Sequence, residues 1–81
     1  MKYVVYILFS ESLGKFYAGQ TQDIDKRLLQ HNSGKGDFTS RGTPWQLIWS
    51  SCCDTRSEAV NLESRIKKRG IKRHLQDCKL L

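Results

Sequence analysis

Eighty-one residues, with fourteen Lys and Arg against eight Asp and Glu, give a net charge of +6. A chain of that length buries one modest core, which excludes a two-domain enzyme, a large barrel or a complete dinucleotide-binding fold. The charge is unevenly placed: residues 1–64 carry seven groups of each sign, whereas residues 65–81 carry seven basic and one acidic. The whole excess therefore lies in the last seventeen residues, and it suits a polyanion partner without implying any chemistry.

No run approaches the eighteen apolar residues of a membrane span, so a membrane partner is not expected. The apolar start after Lys2 breaks at Ser10-Glu11-Ser12 without a small-residue cleavage pattern, and the cytoplasm is the expected compartment. The three cysteines are odd in number, with Cys52 and Cys53 adjacent and Cys78 alone. None has zinc-pair spacing, and free structural thiols are expected.

Val4 to Phe9 is a continuous β-branched and aromatic run, the pattern of a strand buried on both faces. Ser10 to Gly14 reads as a turn and Lys15 to Gln20 as the returning strand of a hairpin. Thr21 or Asp23 caps a helix that runs to about His31, with Asp23 and Asp25 favourably placed near its positive end. Asn32 to Asp37 is a stop rich in turn formers, and Phe38 to Pro44 reads as a loop. Trp45 to Cys52 is a third strand. Thr55-Arg56-Ser57-Glu58 has the capping-box form and opens a helix that continues to Arg69. Gly70 interrupts, and a short last helix covers about Ile71 to Cys78. The expected fold is α+β, a single domain over residues 1–81: a small three-stranded antiparallel sheet flanked by helices, in the order β-β-α-β-α-α.

Several side chains stand out against this frame. Glu63 lies four residues after Ala59 and three before Ile66, on the apolar face of its helix. A carboxylate there either reaches the edge of the stripe, to water or to Lys67, or holds a metal. Arg27 and His31 are four apart in the first helix and project together. They are either a solvated helix edge or a phosphate clamp beside a proton carrier. Tyr6 and Tyr17 lie inside the hairpin strands, where a buried phenol needs a partner. Gly19 suits a sharp turn or a close approach. Arg65, Lys67, Lys68, Arg69, Lys72 and Arg73 form a basic patch suited to a nucleic-acid backbone, or a merely solubilising surface.

In this order and spacing, Tyr6, Tyr17, Gly19, Arg27, His31 and Glu63 resemble the GIY-YIG nuclease domain in its small stand-alone form. Val4-Val5-Tyr6 corresponds to the first motif and Tyr17-Ala18-Gly19 to the second. Asn32 to Gly36, with Thr39, Arg41, Pro44 and Trp45, matches the central stretch of the stand-alone group. The likeness runs over about residues 2–76. It departs in having Val4-Val5 for Gly-Ile, Ala18 for Ile, and His74 or Gln76 where many relatives place an Asn.

The resemblance implies a metal-dependent endonuclease that hydrolyses phosphodiester bonds in DNA, in repair or in processing of structured DNA. Glu63 would hold Mg2+ or another divalent cation such as Mn2+, and Arg27 would clamp the phosphate. One of the two tyrosines would position or deprotonate the attacking water, with His31 assisting. Arg41 and the basic patch would bind the nucleic acid, DNA more readily than RNA. The alternative is a nucleic-acid-binding module with the same fold that cuts little or nothing. So small a chain has little surface with which to grip a duplex. A second copy or a targeting protein would add to it, with Trp45, Trp49 and the last helix as contact candidates.

Overall fold

The computed structural model describes residues 2–33 and 43–80. Most of the predicted loop, including Arg41 and Thr39, lies outside the described residues. The elements follow the expected order: β1 (Tyr3–Ser10), β2 (Lys15–Thr21), α1 (Ile24–Asn32), β3 (Trp45–Cys53), α2 (Arg56–Arg69) and α3 (Ile71–Asp77). The strands form one antiparallel sheet in the order β2-β1-β3.

β1 is the central strand, which is why its sequence is apolar at consecutive positions and does not alternate. Val5, Ile7 and Ala18 face Ala59 and Ile66 of α2 and Leu75 of α3. Tyr6, Leu8 and Trp45 face the other way, packed by Tyr17 and by Ile24 and Leu28 of α1. The sheet thus lies between one helix and two, with a small core on each side.

A register shift between Ile7 and Leu8 sets how β3 contributes to both cores. Ile7 pairs with Trp49 but Leu8 pairs with Leu47, leaving Ile48 as an extra residue. With side chains alternating every residue, one inserted residue reverses the face of everything beyond it. Trp45 consequently turns towards the α1 side and is 2% exposed, whereas Trp49 packs on the α2–α3 side. Trp45 is therefore a core residue and not the surface contact that its sequence position suggested.

The helix ends are closed as their sequences require. The Asp23 carboxylate caps α1, accepting from the Lys26 amide at 3.1 Å. At α2, Thr55 Oγ1 accepts from the Glu58 amide at 3.2 Å, and the Glu58 carboxylate accepts in return from the Asp54 amide at 3.2 Å. This is a capping box displaced by one residue on its return bond. At the other end of α1, the Asn32 amide grips the Trp45 backbone twice. Trp45 N–H donates to Oδ1 at 2.6 Å and Nδ2 donates to the Trp45 carbonyl at 3.2 Å. That clamp ties the helix to the start of β3.

Candidate active site

The hairpin register places Tyr6 directly opposite Gly19. Any side chain at position 19 would collide with the phenol: an added Cβ would stand 2.7 Å from the Tyr6 hydroxyl and 2.9 Å from Cζ. Gly19 is thus required by close approach, since its backbone is not in the left-handed region. The tyrosine ring lies across the bare Cα, is 2% exposed, and brings its hydroxyl to 3.1 Å from His31 Nε2. That bond satisfies a buried phenol that would otherwise cost about 1–3 kcal/mol.

His31 closes a cluster of rings. It is 7% exposed, with its ring centroid 6.0 Å from that of Tyr6 and 5.0 Å from that of Tyr17. Tyr17 also stands edge-on to Trp45 at 6.2 Å. Of the two tyrosines, Tyr17 is the more exposed. The solvated-edge alternative for His31 does not hold, because α1 packs its last turn against the sheet.

The electrostatics of this cluster are unusual. Burial pushes the Tyr6 phenol up to about 12, with Tyr17 and Glu63 adding to the rise and Arg27 opposing it. Burial also holds His31 below its ordinary value, and the Arg27 charge lowers it further. Both partners in the Tyr6–His31 bond are therefore neutral at pH 7. Arg27 and Glu63 lie close enough for their charges to act on the phenol, one on α1 and the other on α2.

Arg27 is exposed and lines an open depression of about 510 Å³ with Tyr3, Gln20, Asp23 and Arg56. The Glu63 side chain is 20% exposed and its Oε2 accepts from Lys67 Nζ at 2.7 Å. It sits at the edge of the apolar stripe, as spacing suggested, and the ion pair with Lys67 is made. Among the described residues, no three His, Cys, Asp or Glu side chains gather to hold a metal ion. A single carboxylate still suits Mg2+, which keeps most of its waters and binds through one or two carboxylates plus substrate phosphates. The ammonium of Lys67 bonds one of the two oxygens of the carboxylate that would hold such a cation.

The remaining candidates separate from this cluster. His74 faces Trp49 edge-on at 4.6 Å and approaches Cys78 Sγ at 3.7 Å, while Gln76 is exposed on α3. Trp49 is on the face opposite Tyr6, so His74 is not part of the tyrosine cluster. Arg65, Lys67, Lys68, Arg69, Lys72 and Arg73 are all exposed. Two of them are internally engaged, Lys67 by Glu63 and Arg69 by Asp77, whose carboxyl the guanidinium hydrogen bond holds below the usual range. Sequence reasoning noted Asn32 and Trp45 within the central stretch but did not foresee that the Asn32 amide clamps the Trp45 backbone.

A family model described as the GIY-YIG catalytic domain matches residues 2–76. The chain belongs to that family, and its fold is a nuclease fold. The particular relatives it resembles are UPF0213 proteins. It is 39% identical over 67 residues to one from Staphylococcus saprophyticus, covering 82% of this chain and 80% of that one. It is 46% identical over 52 residues to one from Haloquadratum walsbyi, covering 63% of this chain and 58% of that one. The solution NMR structure of a UPF0213 protein from Bacillus halodurans matches with a TM-score of 0.61 at 33% identity, over 99% of this chain and 85% of that chain. The chain spans less than two thirds of the length of several such relatives, including 56% of one from Bacillus pumilus. Among the described residues, no helix is long and apolar enough to cross a membrane.

Proposed function

We propose that the protein is a divalent-cation-dependent endonuclease that hydrolyses phosphodiester bonds in DNA, acting in the repair or processing of structured DNA. A cytoplasmic setting and a single unit over residues 1–81 belong to the same reading. The observation that carries it is the buried Tyr6 hydroxyl, bonded to His31 over a glycine that nothing else could replace. A fully satisfied polar pair of this kind fixes the orientation of both rings inside the small core.

With its pKa pushed up to about 12, Tyr6 stays a protonated phenol at neutral pH, a poor base by itself that can act only as a relay to a partner. Tyr6 positions the attacking water; as the water oxygen bonds to phosphorus, the phenol oxygen takes its proton and passes its own to neutral His31 Nε2. The phosphorus–oxygen ester bond breaks, and the leaving oxygen is protonated from solvent. Arg27 binds the non-bridging oxygens, and Tyr17 supports the His31 ring through edge contact. Glu63 would hold the divalent cation, which supplies charge stabilisation to the phosphate when bound. Such catalysis is mainly positioning and electrostatics, which this set of groups provides.

The Glu63–Lys67 ion pair favours a second reading, a nucleic-acid-binding module with weak or no cutting. A cleavage panel separates the two. Wild-type protein with Mg2+ or Mn2+ should nick duplex, flap or junction DNA, and Glu63→Ala should cut none while melting at a similar temperature. Equal inertness of wild type and E63A across DNA and RNA substrates would establish the binding module instead.

A further inference from the structure

Beside Glu63 a second depression opens, between the hairpin turn and the junction of α2 with α3. It has a volume of about 480 Å³. Phe16 and Ile71 supply its apolar surface, and Lys15 and Lys72 line it together with Lys67, whose ammonium is held by Glu63. None of the residues lining it is acidic. Two glycines with positive φ shape its walls: Gly14 at +62° in the turn and Gly70 at +101° between the helices. Phe16 is braced by Phe9 at 4.9 Å, so its ring is held in place. Lys67 links this groove to Glu63 through its 2.7 Å ion pair.

We propose that this groove receives one unpaired nucleotide of a nucleic-acid strand, its base against Phe16 and Ile71 and its flanking phosphates on Lys15 and Lys72. The inference rests on the nuclease reading for its position: the adjoining phosphodiester would then lie at Glu63. Lys15 and Lys72 beside an apolar floor complement a polyanion that also presents flat apolar faces, the combination found in single-strand binding. A paired base has both faces covered by its neighbours, and a duplex is too broad for a depression of this size. An overhanging or flapped nucleotide fits. The basic excess at the C-terminus thereby gains a direction, leading from the exposed α2 and α3 lysines across Phe16 to the hairpin turn.

The test uses the full chain in EDTA, so that nothing is cut, and a short oligothymidylate as probe. On adding dT oligonucleotide, the Gly14 and Gly70 amide resonances should shift, with much smaller changes for a blunt duplex of equal length. Lys15→Glu with Lys72→Glu should weaken dT binding at least about tenfold and flatten its salt dependence by roughly 1.4 in the log–log slope. Phe16→Leu should weaken binding about fivefold or more with the slope unchanged, because stacking is lost and no charge is. If Phe16→Leu fails to fold, the two exposed lysine reversals carry the test alone. Unmoved glycine amides, or an affinity indifferent to the lysine reversals, would overturn the proposal. So would an equal response to oligoglutamate, which would mark the groove as a site for an acidic protein segment. Cleavage by wild type with an unresponsive groove would remove the groove and keep the nuclease. Groove binding without cleavage on any substrate would do the reverse.

Discussion

Replacing Gly19 by Ala isolates the closest contact in the candidate site. The new Cβ would stand 2.7 Å from the Tyr6 hydroxyl and 2.9 Å from Cζ, and the second contact is with the ring itself. Tyr6 is among the largest fully buried side chains and has no exposed volume into which to swing. Overpacking of this kind costs about 1–3 kcal/mol. Displacing the phenol also breaks its 3.1 Å bond with His31, adding about 1–3 kcal/mol for the unsatisfied buried group. Reduced freedom of the unfolded chain returns about 0.4–1 kcal/mol. The net loss is about 1–5.5 kcal/mol, centred on about 3, a large share of the stability of so small a domain.

Urea unfolding of wild type and G19A measures that loss directly, and the melting temperature should fall by on the order of 10–25 °C. Gly14→Ala is the control. Position 14 has φ +62° but nothing within 4 Å of an added Cβ, so only backbone strain, about 1 kcal/mol, is expected there. A Tyr6→Leu background should shrink the G19A penalty to below about 1 kcal/mol, because the colliding atoms are gone. A G19A protein within about 0.5 kcal/mol of wild type, or an equal penalty in the Y6L background, would refute the steric argument.

Stability should depend on pH in two windows. His31 is held below its ordinary value when folded, so the unfolded chain binds the proton more readily. Stability is full above about pH 6.5 and falls as the solution is acidified below it, and His31→Gln should flatten that fall in urea midpoints. Tyr6 is raised to about 12, so stability should decline as pH rises from about 10 towards 12, and Tyr6→Phe should remove that decline. Asn32→Ala removes the two bonds of 2.6 and 3.2 Å that its amide makes to the Trp45 backbone, and should cost about 1–3 kcal/mol in the same unfolding assay. Asp77→Asn should free Arg69 and steepen the salt dependence of DNA binding by about 0.9, read by fluorescence anisotropy over a salt series.

The sheet was legible because β1 is buried on both faces and advertises it with six consecutive apolar residues. The caps were legible because Asp23 and Thr55 act through local bonds, within three residues of themselves. The bulge was not. Trp45, Leu47 and Trp49 share one parity and would lie on one face of a regular strand; only pairing with β1 shows that Ile48 is inserted between them. The burial of His31 was equally hidden, since spacing within α1 fixes which residues project together but not which of them the sheet will cover. Gly19 was noted for its lack of a side chain, yet the atom that needs the space belongs to a strand thirteen residues earlier.

Glu63 shows where such reasoning divides. Helical spacing placed it on the apolar stripe and left two outcomes, a surface pair with Lys67 or a cation site, and the structure shows the ion pair made at Oε2. While the ammonium stands 2.7 Å from Oε2, its positive charge opposes a divalent cation at the same carboxylate. A phosphate entering beside Phe16 is within the surroundings of that same lysine. Lys67→Met should therefore tighten Mn2+ binding severalfold in water-proton relaxation without any nucleic acid, and Glu63→Gln should abolish it. If K67M binds Mn2+ no better than wild type, the ion pair is not what opposes the cation. A tighter K67M site would mean that the lysine charge is what opposes a cation at this carboxylate.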